Sequence, residues 1–401
     1  MSRPSSRLLL SWQGFLLCLL LLAACDVGST SVPHSSATAT PDSTEVATTT
    51  PLVASDAGRV AAIPSMQVAR ADHSAVLLAN GTVLIAGGCT NVSGCEGGSL
   101  SATTEIYDPQ TSTFRRGPSM RDSRAGDQSA TLLPNGMVLI AGGWGTQALA
   151  SAELYNPTTE TFTPTSPMHL PRTAQTATLL LTGQVLLTGG YDGRIRLASA
   201  ELYDPQTGTF SLTGSMSTPR SAHMAALLPD GRVLITGGDS DEHTVLNSAE
   251  IYNPATGTFT PTGTMSVVRR KHAAVALQDG RVLVVGGANQ RDSGGAYASA
   301  EIYDPRSGTF TQTGSMSVRR YKIGAAVALL KNGDVLVAGG NDLVEVYDPQ
   351  TGTFKTAEGH LGATRFFTSV ALLPDGTVLI TGGYDNHITL TANAWVYHPG
   401  S

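Results

Sequence analysis

Three kinds of residue in this chain could do chemistry, and all three recur at regular intervals. Histidine stands at His73, His223 and His272, glutamate at Glu105, Glu153, Glu201, Glu250, Glu301 and Glu345, and arginine at Arg70, Arg124, Arg172, Arg220, Arg269 and Arg320, with Arg365 one place later. Three imidazoles would make a zinc ligand set, and a ring of carboxylates would make a charged girdle. The intervals argue against both. The histidine position reads His73, Asp127, Gln175, His223, His272, Ile323 and Thr368 along the chain, so two histidines fall in neighbouring units and the third lies three units away. A residue present in nearly every unit is required by the unit, whereas an active site needs different residues from different units. The histidines are therefore read as hydrogen-bonded parts of the structure. The glutamates are read as buried carboxylates with partners inside each unit, the arginines among them. No metal site, cofactor or catalytic residue is assigned.

The elements that position these residues are legible from the repeat itself. Seven tyrosines, Tyr107, Tyr155, Tyr203, Tyr252, Tyr303, Tyr347 and Tyr397, are spaced by 44 to 51 residues, and a Gly-Gly pair precedes each. Within the fourth unit, "HMAALL", "RVLITGG", "SAEIY" and "GTFTPTG" read as four strands. Asn-Gly, Asp-Gly or Thr-Gly marks the first turn of each unit, as at Gly81, Gly183 and Gly231, because a two-residue hairpin needs positive φ. The second turn carries Asp or Asn and then Pro, which bond the backbone and preset φ. The seventh unit stops at "NAWVYHPGS" without a fourth strand, while "GRVAAIPSM" at residues 58–66 belongs to no unit of its own. That N-terminal strand is expected to complete the last unit and close the ring, which removes the open edges.

Four-stranded antiparallel units of about 50 residues in tandem describe a β-propeller. The Gly-Gly pair, the Tyr beyond a variable loop, and an aromatic ahead of a Met, such as Phe210 and Met216, resemble the Kelch repeat, with Phe in place of its usual Trp. The resemblance covers residues 58–401 and implies an all-β, seven-bladed propeller. It also implies that the loops after Gly-Gly and the connections between blades share one face, the usual ligand face. The loops after Gly-Gly vary most, from "CTNVSGCEGGSLSAT" in blade one to "NDLV" in blade six, and variable loops on a rigid frame are where recognition resides.

Beside the short sixth loop the connections are basic and aromatic. They read Arg269, Arg270, Lys271 and His272 into blade five, Arg319, Arg320, Tyr321 and Lys322 into blade six, and Arg365, Phe366 and Phe367 into blade seven. Tyr384, Asp385, Asn386 and His387 follow in blade seven's loop. Cations beside aromatic faces suit an anionic sugar or an acidic peptide, so these residues form the expected ligand site. The leading expectation is a non-catalytic module, monomeric, that binds a protein or glycan. The alternatives implied by resemblance are a carbohydrate-active enzyme like the sialic-acid mutarotases, or a copper oxidase like galactose oxidase. The second lacks its additional domains here, and the mature chain beyond Cys25 keeps two cysteines, six residues apart.

Composition sets the surroundings. With 44 glycines, 14% charged residues and a net charge of −6, the chain suits many short strands and tight turns and lacks the basic character of a nucleic-acid reader. The first 25 residues place Arg3 and Arg7 ahead of an apolar run ending in Leu22, Ala23, Ala24 and Cys25, the layout of a signal peptide. The ending resembles the lipobox of bacterial lipoproteins, which implies lipidation at Cys25 and a membrane anchor that does not span. Residues 26–57 are rich in Ser, Thr, Pro and Ala and nearly free of large apolar groups, and are read as a disordered tether reaching roughly 30 Å. Cys89 and Cys95 are expected to form a local disulfide in an oxidising compartment. The expected place is the cell envelope, at the surface or in the periplasm.

Overall fold

Residues 56–90, 100–126, 128–241 and 244–400 are described in this computed structural model. The signal segment, Cys25 and the tether as far as residue 55 lie outside them, as does Cys95. Cys89 itself is disulfide-bonded.

Seven four-stranded antiparallel sheets make up the described ring. The first strands of successive blades are neighbours in space, and that of blade seven, Ser369–Leu372, lies beside that of blade one, Ser74–Leu77, so the circle is closed. Second strands such as Val83–Ala86, Val138–Ala141 and Val282–Val285 are buried at every position. Their Val, Ile and Leu side chains face a neighbouring sheet on both sides, which is why they read as continuous apolar runs instead of alternating ones. The fourth strands, on the outside, expose most of their side chains; in Thr258–Pro261 only Phe259 is turned inward. That Phe lies opposite the recurrent Tyr. Tyr252 and Phe259 are register partners with ring centroids 4.8 Å apart, and five other blades repeat the pair.

The ring closes as the chain ends predict. Strand Arg59–Ile63 pairs with Ala394–His398, and Val60 stands opposite Tyr397 where other blades place Phe. The Tyr397 hydroxyl donates to the Ala57 carbonyl at 3.0 Å. In four other blades the same hydroxyl bonds a threonine of the preceding blade, as in Tyr252 with Thr213 at 2.9 Å.

Two blades depart from the common length. Eleven positions separate the recurrent arginine from the hairpin glycine in five blades, but Arg124 to Gly136 is twelve and Arg320 to Gly333 is thirteen. In blade two the extra residue shifts the histidine position by one, so Gln128 takes the place expected for Asp127, which lies outside the described residues. In blade six the two extra residues delay the first strand, Val327–Leu329, and put a turn at Gly324 and Ala325 on the channel wall.

Candidate functional site

The recurrent arginines occupy the seams between blades, and each joins two sheets. The backbone of Arg220 belongs to blade three, where its carbonyl accepts from Gly190 at 2.9 Å. Its guanidinium reaches into blade four, donating to the Gly237 carbonyl at 2.8 Å and to Glu250 Oε1 at 2.8 Å. Glu250 also accepts the Ser217 backbone N–H at 2.8 Å, which fixes the segment that leads into the blade. Six seams carry this ion pair, and all six arginines are fully buried. Burial draws their pKa values down while the carboxylate opposes it.

This geometry also accounts for the Gly-Gly pairs. Both glycines have positive φ, 59° at Gly237 and 91° at Gly238. A Cβ on Gly237 would lie 2.3 Å from the Arg269 carbonyl and 2.9 Å from the His272 ring, so no other residue lets the connection into blade five pass this close.

The histidines belong to the same seams. The Nε2 of His73 bonds the Thr381 hydroxyl at 2.9 Å, and His272 bonds Thr236 at 2.8 Å, each reaching back into the preceding blade. His223 bonds Thr188 and Thr176. Gln175 and Gln128 make the equivalent link to backbone carbonyls, Ala141 and Ala86. Burial lowers the pKa of His73 and of His272 to about 3, with the neighbouring arginine adding to the shift. Among the described residues no three His, Cys, Asp or Glu side chains are grouped to hold a metal.

The first strands surround a central channel of about 330 Å³. One mouth is built from the residues two places after each arginine: Asp72, Gly126, Ala174, Ala222, Lys271, Lys322 and Phe367. All seven have positive φ, between 51° and 73°, a conformation that costs a non-glycine residue about 1–2 kcal/mol. A circle of inter-blade hydrogen bonds holds them. Ala174, Ala222, Lys271, Lys322, Phe367 and Asp72 each donate a backbone N–H to the mouth residue of the blade before, at 2.9–3.2 Å. Gly126 closes the circle by donating to the Asp72 carboxylate at 2.7 Å. Strained positions of this kind gather at functional surfaces, and here they aim two lysines, an aspartate and a phenylalanine at the mouth.

The expected ligand residues are brought together in part. Arg269 and Arg320 are corrected from ligand contacts to structural clamps, since they are fully buried against Glu301 and Glu345. Arg365 is corrected too, as a side chain buried to 9% exposure without a glutamate partner. Blade seven has Trp395 where the others have Glu, and the Arg365 guanidinium lies 5.8 Å from that ring. Arg270 and Lys271 are at the mouth but share Asp292, at 2.9 and 3.4 Å. Lys322 sits among four rings, its ammonium 5.2 Å from the Tyr321 centroid, 5.6 Å from Phe366, 5.2 Å from Phe367 and 5.3 Å from Tyr384. It also donates to the Tyr384 hydroxyl at 2.6 Å. Arg319 is exposed. Asp385 is spent on its own loop, accepting the His387 and Thr389 backbone N–H groups at 2.9 Å each, and His387 is exposed.

A second cluster on the same face was missed from sequence. Trp144 and Tyr191 hold the place just after Gly-Gly in blades two and three, with nearly parallel rings 6.4 Å apart. Arg196 lies over Tyr191 at 5.1 Å and pairs with Asp239 of blade four. The signal was present, because both aromatics stand where the other blades have Cys89, Asp239, Ala288, Asn341 and Tyr384.

A family model described as "Kelch motif" matches residues 70–121, 128–169, 172–217, 220–266 and 269–317, more than half of the chain. The chain belongs to the Kelch-motif family. A second model, "WD domain, G-beta repeat", matches residues 351–390. No curated protein matches the chain. Among solved structures it is similar to a fungal alcohol oxidase of the AA5 family in complex with copper, at TM-score 0.69 and 18% identity over 86% of this chain and 76% of that one. It is also similar to YjhT, at TM-score 0.59 and 14% identity over 74% of this chain and 99% of that one. At such identities the likeness is one of fold.

The buried imidazoles generate a pH prediction. They stay neutral in the folded ring to about pH 3, whereas in the unfolded chain they take up protons near their ordinary value of 6.5. Their contribution to stability is therefore complete above pH 6.5 and is lost as the pH falls towards 3. Replacing His272 by Gln, the residue two other blades use here, is expected to flatten the decline of Tm on acidification over that window. In the native chain, NMR should show the His272 ring un-ionised down to about pH 4; a ring titrating near 6.5 would contradict the assignment.

Proposed function

We propose that this Kelch propeller is a non-catalytic binding module that takes a protein or glycan ligand at the channel mouth on blades five to seven. One observation carries the reading: the residues repeated in every blade are consumed in the seams, while those that differ between blades collect around one mouth. Lys271 and Lys322 line it together with Phe367, and Arg319 stands exposed. An ammonium bonded to the Tyr384 hydroxyl and set beside three further rings loses little freedom on binding, so Lys322 is a fixed point for a carboxylate or carbonyl oxygen of the ligand. The non-catalytic reading is supported by how the candidate groups are used. The histidines are neutral and bonded across seams, six glutamates hold arginines, and Asp292 and Asp239 are ion-paired.

In the same reading the chain is exported and held to a membrane of the cell envelope by a lipid on Cys25. Labelling of cells with a radioactive fatty acid should mark the chain and leave a Cys25→Ser variant unmarked; equal labelling would remove the anchor from the account.

For the ligand site, the test is an array of glycans and acidic peptides probed with the chain and with a Lys271→Ala, Lys322→Ala variant. A charge-assisted contact contributes about 1.5–3 kcal/mol, so the ligands retained are expected to bind the variant at least about tenfold more weakly. Undiminished binding by the variant would place the ligand elsewhere on the ring.

A further inference from the structure

We infer a second, separate subsite on blades two to four that takes an uncharged saccharide, built from Trp144, Tyr191, Arg196 and Asp239. The inference rests on the reading that this face binds ligands, and deepens it by naming a substrate class. Trp144 and Tyr191 are both partly exposed, and their planes differ by 9° with centroids 6.4 Å apart. Two near-parallel rings offer flat, electron-rich surface, one face of Tyr191 being taken by Arg196. A pyranose fits such a surface because its axial C–H bonds make one face apolar and weakly positive, while its hydroxyls project at the edge.

Groups for those hydroxyls stand next to the rings. The Arg196 guanidinium donates to Asp239 Oδ2 through Nε at 3.2 Å and Nη2 at 3.1 Å. Asp239 also accepts the Ser221 hydroxyl at 3.2 Å. The pair leaves further Arg196 N–H donors, which suit vicinal hydroxyls, while Asp239, 4% exposed, holds the guanidinium in place. The pair is also neutral overall, which is why an uncharged sugar is favoured here over the anionic ligands that suit the lysine side of the mouth.

The subsite is rigid before anything binds. Trp144 exchanges backbone hydrogen bonds with Ala125 at 2.6 and 3.1 Å, and Tyr191 with Thr173 at 2.8 and 3.0 Å. The loop beyond Tyr191 is fixed by Asp192, whose carboxylate accepts the N–H groups of Arg194 and Ile195 at 2.7 and 2.8 Å. Rings already held in place lose little entropy on binding. Neither aromatic is required by the blade, since other blades fill the same place with Ala288 or Asn341.

The experiment titrates the chain with cellotetraose, chitotetraose and maltotetraose, following tryptophan emission and heat. Of the other two tryptophans, Trp12 lies in the segment read as a signal peptide and Trp395 is buried at 4% exposure, so emission changes on binding to the chain that begins at Cys25 report Trp144. At least one tetrasaccharide is expected to saturate, with a blue shift and affinity about tenfold weaker or worse in Trp144→Ala and in Tyr191→Ala. The Lys271→Ala, Lys322→Ala variant should bind it as the unaltered chain does. Saccharide binding that survives both aromatic substitutions, or peptide binding lost by them in place of saccharide, overturns the subsite. If an array ligand is lost only by the lysine variant and no tetrasaccharide binds, the subsite falls while the proposed function stands. Unchanged Tm in the aromatic variants separates lost binding from lost fold.

Discussion

A guanidinium buried in the seam between two blades is the constraint from which the rest of this ring follows. An arginine with no exposed surface needs partners for its donors, and here the next blade supplies the two terminal nitrogens with a glycine carbonyl and a glutamate. The demand propagates outward. The carbonyl must approach closely, so the Gly-Gly pair is fixed; the glutamate must also hold the incoming backbone, so the connection is fixed; and the residue two places on is turned into the left-handed region, where the circle of mouth hydrogen bonds compensates its strain. Blade seven is the exception that shows the rule at work. It has Trp395 in place of the glutamate, Arg365 lies over the indole, and the N-terminal strand laid against Ala394–His398 bonds Glu358 of blade six through Gly58 and Val60.

Much of this was legible in the chain because repetition isolates what each blade requires. The four strands, the hairpin turns and the closing N-terminal strand all follow from sequence, since hairpin glycines and apolar runs are local signals. The pairing of Arg220 with Glu250 spans thirty residues and was readable only as a coincidence of two series. What sequence could not supply was direction. Arg269 and Arg270 are adjacent and chemically alike, yet one points into a seam and the other towards the mouth. A run of basic residues thus overstated the charge available to a ligand. The left-handed residues at the mouth were hidden for a related reason, because six of the seven are not glycine. Only their constant distance from the arginine betrays them.

The face that remains after the seams are accounted for is divided in character. Around blades five to seven, cations are tied to Asp292 or enclosed by rings, and the two-residue insertion of blade six brings Gly324 and Ala325 to the channel wall just beyond Lys322. Around blades two to four, two parallel aromatic rings lie beside a neutral ion pair. Both clusters sit on residues that differ from blade to blade, although Tyr321, Phe366 and Tyr384 are also buried against one another and against Ala71, Ala288 and Ala296. The scaffold thereby separates its two tasks: repeated residues determine stability, and departures from the repeat determine recognition.

Whether the seam arginines hold the ring is read from urea unfolding of Arg220→Met beside Arg220→Met, Glu250→Leu. Removing one partner of a buried ion pair costs about 3–5 kcal/mol, while replacing both by apolar groups recovers most of it. A large loss is expected in the single variant and a smaller loss in the double. A single variant within about 0.5 kcal/mol of the unaltered chain, the range of ordinary surface substitutions, would contradict that role of the arginines.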